Sequence, residues 1–550
     1  MELRTEKVYT EEKKGPATTQ LTFDETYHLP DYLPDFFSVI LSRGQIRMDE
    51  TKCSQGHVQV QGTLQFRVLY RTGQNEWNIC SLEGEIPFHE MMTLDEAKEF
   101  DMAQTEAILE DLTVRMINAR KLNIRALVEI KVWARERVEL NIPVAIDSEY
   151  PLEELHNTEV YLELCYRGTE RWKLKEEVRL PSNKPNIRQL LWQQHQLLGR
   201  EIRVNQGNVQ VQGEIQIFLL YLGMEEDRLQ WLELRVPYQY ELDVAEAESD
   251  MIPCVSGQEP VMICRVQEDT DGEERMLLLE ADTPVELRLY REVKREQLVD
   301  AYSLERQLQL QTKQVKFPQL YMKNSARCRV NDSIEIEKQE AEILQLGAGF
   351  GTVEAEHWEV TEQGIHVEGT VWVSILYLTS SDAAPVGAAE GLVPFQYDVE
   401  IPEMKSFYQI ELQTGLAHLS FLMKSGTELE VQAVVDIETL ITKEKQSELI
   451  TGTEDREYDI NWLNHIPGIA GIRLQKPDDL WNIAKKFHTT VQDIKTVCAA
   501  ASSCAMIAFC WSMVCLYCAA SDCASASLLS KLSIWLLFSA FSVSNCCCCS

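Results

Sequence analysis

Basic residues are the scarce charge in this 550-residue chain: 52 lysines and arginines stand against 87 aspartates and glutamates, a formal net charge of −35. Nucleic-acid backbones are bound by basic grooves, so that class of partner is not expected. A solvated acidic surface, or cationic partners, fit better. The ten histidines do not cluster, His89-Glu90 has no second histidine four residues on, and neither a G-x-S-x-G nor a phosphate-binding loop occurs. The chain therefore reads as not an enzyme, with no cofactor, no metal site and no catalytic residue to name. Its first twenty residues, MELRTEKVYTEEKKGPATTQ, hold no apolar run that could serve as a secretory signal, so export by that route is not expected. Cysteine is sparse over the first 497 residues: Cys53, Cys80, Cys165, Cys254, Cys264 and Cys328 lack metal-ligand spacing and read as free thiols of a reducing cytosol.

What the chain does have is a strand signature used three times: VQVQGTLQFRVLY ending at Tyr70, VQVQGEIQIFLLY ending at Tyr221, and IHVEGTVWVSILY ending at Tyr377. Gly62, Gly213 and Gly369 are 151 and then 156 residues apart, each followed eight residues later by the tyrosine. Pro87-Phe88, Pro237-Tyr238 and Pro394-Phe395 follow the glycines at 25, 24 and 25 residues. Three landmarks in register mark a repeated module.

Within each copy the alternation has a period of two. Val58, Val60, Leu64, Phe66, Val68 and Tyr70 share the buried parity, as do Val209, Val211, Ile215, Ile217, Leu219 and Tyr221, and Ile365, Val367, Val371, Val373, Ile375 and Tyr377. The opposite parity, Gln59 to Arg67 in the first copy, reads as solvated. Each glycine sits on the buried parity, where a missing side chain allows a bulge or the close approach of another strand; the tyrosines read as core. Later strands follow, VEIKVWARE from Val128, VELRLYREV from Val285 and LEVQAVVDIETLI from Leu429. Leu29-Pro30 with Pro34, and Leu180-Pro181 with Pro185, introduce the first two copies, and the third lacks this motif. The fold expected is mainly β: antiparallel modules at 25–145, 175–300 and 315–450, preceded by a charged segment over 1–24.

After Pro467 the texture changes. Leu480, Ile483, Ala484 and Phe487 fall at helical spacing behind Asp478 and Asp479, and Thr490 with Asp493 makes a capping pair ahead of a second helix carrying Val491, Ile494 and Val497. GIRLQKPDDLWNIAKKFHTTVQDIKTV closely resembles the first two-thirds of a LysM domain, a small strand-helix-helix-strand fold. The resemblance assigns Leu480, Trp481, Ile483, Ala484, Phe487, Val491 and Ile494 to its core, and Gln475 to Asp479 to one side of the groove that holds glycan in binding members. The domain is placed at 466–497, incomplete, with its closing strand missing. A contact surface is expected from Gln475, Lys476, Asp478 and Asp479 in the loop and Lys485, Lys486 and His488 on the helix's outer face, all of which also serve solubility and capping.

From Cys498 the composition breaks: the last 53 residues hold ten of the sixteen cysteines, and only Asp522 and Lys531 carry charge. This apolar, cysteine-rich tail, 498–550, reads as a wrong-frame translation, the competing reading being a membrane anchor through Ala499 to Ser521. Two weaker motifs read as connections: the glycines Gly347, Gly349 and Gly351 as a flexible turn, and Asp269-Thr270-Asp271-Gly272 as a hairpin turn rather than a calcium loop.

Three β-modules with QVQG-type strands followed by a LysM resemble the SPOCS-domain plus LysM proteins of endospore-forming Firmicutes, Clostridia among them, over nearly all of residues 25–497. That resemblance implies a cytoplasmic, mother-cell protein of sporulation, a spore-coat morphogenetic scaffold at the forespore surface. Its LysM would contact the coat-basement ATPase and help recruit other coat proteins. The alternative is a protein whose LysM binds peptidoglycan, the N-acetylglucosamine polymer of wall or cortex. A membrane partner enters only if the tail is genuine.

Overall fold

The computed structural model describes residues 1–73, 79–224, 229–257, 260–336, 343–380, 386–403, 408–425, 427–459, 469–473, 479–496 and 513–517. Its first module has two antiparallel three-stranded sheets. One joins β1 (Glu2–His28), β6 (Lys121–Asp147) and β5 (Met102–Asn118), and the other joins β2 (Ser38–Ser54), β3 (His57–Arg71) and β4 (Ile79–Thr93). The second module repeats this with β7 (Glu153–Arg179), β8 (Ile187–Asn205), β9 (Asn208–Gly223), β10 (Leu229–Asp243) and β13 (Glu274–Tyr302). There β11 (Ile252–Ser256) and β12 (Met262–Glu268) take the place of β5 along β13. The third comprises β14 (Gln307–Glu335), β15 (Ile343–Val360), β16 (Gly364–Thr379), β17 (Val386–Glu400), β18 (Gln409–Ser425) and β19 (Glu428–Arg456).

The eighteen residues of the buried parity are all at most 2 % exposed, as the alternation requires. The other landmarks also acquire a physical cause. Gly62 lies opposite Phe88, Gly213 opposite Tyr238 and Gly369 opposite Phe395, so each glycine is covered by the aromatic that follows the repeated proline. On its other side the preceding strand is bulged: between Met48 and Glu50, between Leu198 and Glu201, and between Ala355 and His357. The expected bulge is therefore present in all three copies. Pro87, Pro237 and Pro394 sit in β4, β10 and β17, edge strands in which a missing N–H leaves no ladder bond unmade.

The tyrosine anchors the Leu-Pro motif. Tyr70 Oη donates to Pro34 O at 3.1 Å and Tyr221 Oη to Pro185 O at 3.4 Å. An arginine at the base of the last hairpin grips the same turn. Arg120 donates to the carbonyls of Leu29, Pro30 and Leu33, and Arg275 to those of Pro181 and Lys184. The third module fills the place with Ile336, whose N–H donates to Thr427 O as Leu29 and Leu180 donate to Arg120 O and Arg275 O.

Two expectations are corrected, and the hairpin turn expected at Asp269-Gly272 is present. Segment 1–24 is not a separate charged segment: Glu2 to His28 pairs with β6 along its length, with Val8, Thr10 and Lys14 buried and the Glu11 carboxylate drawn into the interior. The module ends move outward accordingly, to 2–147, 153–302 and 307–456. The run Gly347-Gly349-Gly351 is strand, part of β15, and not a turn; a Cβ on Gly349 would stand 1.8 Å from the Phe421 ring, so its glycines admit side chains rather than bending the chain. Asp269-Gly272 is the β12–β13 turn, with Asp269 N–H donating to Glu273 O and the Asp269 carboxylate accepting from Asp271 and Glu273 N–H.

The three modules close on one another. Leu41, Leu69 and Ile79 from the first, Trp192, Phe218 and Leu220 from the second, and Ala348, Phe350 and Leu376 from the third form one apolar cluster. Leu69, Phe218, Leu220 and Leu376 stand on the parity expected to be solvated, and are nonetheless at most 4 % exposed. Around this cluster Arg67 donates to Gln193 O, Gln196 Oε1 accepts from Gly351 N–H, and Arg43 pairs with Glu390 while stacking over Trp372 at 4.1 Å. Further along, the long ribbons β1/β6, β7/β13 and β14/β19 pack into a stem through Val8, Ile142, Tyr161, Phe317 and Leu449.

Candidate functional site

The register of the ribbons brings the ends of every module to one end of the stem: Glu2 opposite Asp147, Glu153 opposite Tyr302, and Gln307 opposite Arg456. The connections between modules are pinned together there. Ser303 Oγ donates to Pro151 O at 2.9 Å, Tyr458 Oη to Ser303 O at 2.7 Å, and Arg306 pairs with Asp455 at 3.0 Å while lying over the Tyr150 ring.

On this platform sit the C-terminal helices. Asp479 caps α1 (Leu480–Lys486) by accepting from Trp481 N–H at 3.0 Å, and a second helical turn spans residues 491–496. The expected Thr490–Asp493 pair opens that turn: Asp493 N–H donates to Thr490 Oγ1, which donates to the Asp493 carboxylate at 2.7 Å. The seven residues that the resemblance assigns to a LysM core do meet. Trp481, Ala484 and Ile494 are buried, with Leu480, Ile483, Phe487 and Val491 packed around them. The same cluster contains Tyr302, Leu155 and Leu304 from the stem, and Tyr302 meets Trp481 edge-on at 4.9 Å.

Two of the expected contact residues are engaged by the stem, Lys485 while still exposed and His488 half-buried. Lys485 Nζ donates to both Asp300 oxygens, at 2.7 and 2.8 Å, and Trp481 Nε1 donates to the same carboxylate at 2.7 Å. His488 Nε2 lies 2.7 Å from Leu304 O with its ring edge-on to Tyr458, and burial pushes its pKa down. An amphipathic pattern gives a helix's faces but not its docking partner, so the contacts of Lys485 with Asp300 and of His488 with Leu304 carried no sequence signal. Lys486 and Asp479 remain exposed. Gln475, Lys476 and Asp478 lie outside the described residues.

The closing strand expected to be missing has a counterpart. β20 (Ile469–Arg473) pairs antiparallel with β21 (Met513–Tyr517), giving the backbone order strand, helix, helix, strand. The sequence signal was absent because β21 lies within the apolar tail, without the usual glycine turn. The rest of that tail, 498–512 and 518–550, lies outside the described residues, and with it both readings of it. Among the described residues no helix is long and apolar enough to cross a membrane.

A second polar centre, which sequence reasoning missed, lies where the three modules meet. Arg135 Nη1 donates to Glu11 Oε2 and Glu411 Oε1, both at 2.9 Å; Arg288 Nη2 donates to Glu411 Oε2 at 2.9 Å; and Tyr290 Oη donates to Glu11 Oε2 at 2.8 Å. Both guanidinium side chains are at most 2 % exposed. Burial opposes ionisation of Glu411, but the charges of Arg288 and Arg135 outweigh it and hold its carboxyl well below the usual range. No sequence pattern carries this centre, because its members lie on four strands of three modules.

Comparison with known proteins bears on the modules. The family described as "SipL, SPOCS domain" matches residues 36–117, 186–259 and 342–424. Each matched segment covers the middle of a module, from β2 into β5, from β8 through β11 and from β15 into β18, and leaves the long stem strands outside. No curated protein matches the chain. No solved structure matches it either. With the repeated glycine, tyrosine and proline landmarks inside every matched segment, the chain is a SPOCS-domain protein resembling SipL, built from three such modules.

Proposed function

We propose that this sporulation-related SPOCS protein is a non-enzymatic scaffold of spore-coat assembly, acting in the mother cell at the forespore surface through protein–protein contacts. Its C-terminal helical pair, read as a LysM, contacts the coat-basement ATPase, and the SPOCS modules meet other coat proteins. The observation that carries this reading is the docking of a LysM-like strand-helix-helix-strand element on the end of a stem made by three SPOCS modules. A rigid three-module body offers large outward surfaces for assembly, and the family match ties it to sporulation.

The test is co-purification of the coat-basement ATPase with the full chain and with a chain lacking residues 466–550. Loss of the ATPase on deletion supports the assignment, and undiminished binding rules it out. A second reading, peptidoglycan binding, is favoured by the β20–β21 pairing, since a LysM groove needs its closing strand. In that case the full chain co-sediments with purified cortex or wall, and free N-acetylglucosamine oligomers release it.

A further inference from the structure

We propose that the C-terminal helices and the SPOCS stem form one composite binding unit, in which Asp300, Tyr302 and Leu304 position the helices that engage the partner. This rests on the reading of the helical pair as the partner-binding element, and adds that it does not act as an autonomous domain.

The helices are too short to stand alone. α1 has seven residues and the second turn six, whereas isolated helices below about 12–15 residues are marginal in water. Their apolar cluster is completed by Tyr302, Leu155 and Leu304, so separating the pair from the stem would return much of the Trp481 ring to water.

The stem is shaped to receive them. Asp300 follows a register shift in β13, where Leu298 pairs with His156 and Asp300 with Leu155, leaving Val299 as the extra residue. A bulge of this kind re-aims a side chain. The re-aimed Asp300 carboxylate takes the Trp481 indole N–H and the Lys485 ammonium together. Tyr302 Oη donates to Thr489 O at 2.8 Å, closing the connection between the two helical turns.

His488 supplies an independent sign. Its φ of +57° is a left-handed conformation that a side-chain-bearing residue rarely adopts. Thr489 N–H donates to Ala484 O at 3.0 Å, as in a helix C-terminal motif normally completed by glycine. Here the ring is held by Leu304 O and Tyr458, so the seam keeps a histidine where glycine would ordinarily stand.

The experiment uses the full chain carrying Asp300→Ala, Asp300→Asn, Lys485→Met or the Asn/Met pair. Hydrogen exchange is followed at residues 480–496 without partner, and affinity is measured for the purified coat-basement ATPase. Losing a charged hydrogen bond opens the seam about ten- to a hundredfold more often, so Asp300→Ala should speed exchange in 480–496 by that factor. Exchange in β3, β9 and β16 should stay as in the parent, and ATPase affinity should fall at least about tenfold. The Asn/Met pair should be no worse than the poorer single variant, because both remove the same ion pair. Unchanged exchange at 480–496 in Asp300→Ala would overturn the seam. Faster exchange with undiminished affinity would overturn the composite unit, since the helices would then bind without the stem. If deleting 466–550 leaves affinity intact, the partner assignment itself falls, a result separable from both.

Discussion

Arg288 Nη2 donates to Glu411 Oε2 at 2.9 Å, tying the second module to the third at a point where the first contributes Arg135 and Glu11. Lys13, close by, has its pKa lowered to about 8, chiefly by burial and also by the Arg135 charge.

Removing one partner of such a cluster leaves a buried charge uncompensated, which costs about 3–5 kcal/mol. Glu411→Ala should therefore lower the urea midpoint of the full chain by a corresponding amount. Replacing Glu11, Arg135, Arg288 and Glu411 together by apolar residues of similar size should restore most of it. Urea unfolding followed by tryptophan fluorescence separates the two outcomes, and a Glu411→Ala protein as stable as the parent would refute the role.

Gly62 and Gly369 occupy equivalent places, each between a phenylalanine ring and a backbone carbonyl but at different distances. A Cβ at 62 would stand 2.5 Å from Phe88 Cζ, a movable ring tip, and 2.8 Å from Arg47 O; at 369 it would stand 2.2 Å from Glu354 O, a backbone atom. Overpacking of this kind costs about 1–3 kcal/mol. Gly369→Ala should be the more damaging by thermal melting, and Phe88→Leu should partly rescue Gly62→Ala while Phe395→Leu does not rescue Gly369→Ala.

How much of this was legible in the sequence follows from which contacts are local. The parity of Val58 to Tyr70 gave the core face of each repeat, because a strand's alternation is local. The proline spacing marked the repeat, but that these prolines lie on edge strands emerged only from the strand order. Phe218, Leu220 and Leu376 were placed on the solvated parity because alternation assumes one buried face; these strand ends are buried on both, the second by neighbouring modules. Their doubled apolar character, in FLLY and ILY, was the signal. Asp300 and Glu411 had none, since each is an ordinary surface-type residue until a partner distant in sequence reaches it.

Tyr70 offers a test of the anchor on the Leu-Pro motif. Tyr70→Phe removes one hydrogen bond to Pro34 O, for about 1 kcal/mol. Arg120→Ala removes the donors that satisfy Leu29 O, Pro30 O and Leu33 O, and should cost more, with limited proteolysis opening the chain between residues 29 and 36. Arg275→Ala should expose 180–186 in the same way. Equal protease resistance of parent and Arg120→Ala would show that the turn holds itself.

Acid should loosen the molecule in two steps. Burial, reinforced by the Arg67 charge across the module boundary, lowers the pKa of His195 from 6.5 to about 4. The unfolded chain then binds a proton more readily than the folded one, so this contribution to stability is complete above pH 6.5 and is lost as pH falls toward 4. At about 1.4 kcal/mol per unit its ceiling is about 3 kcal/mol. Glu411, also depressed, adds a loss that begins only below its unfolded value of 4.5. His195→Gln should thus flatten the melting temperature between pH 6.5 and 4 and leave the steeper fall below pH 4.5 in place, whereas Glu411→Gln should lower stability at neutral pH and remove part of that later fall. A parent whose melting temperature is level from pH 7 to pH 4 would show that the His195 ring is solvated and not held between Pro260 and Met262.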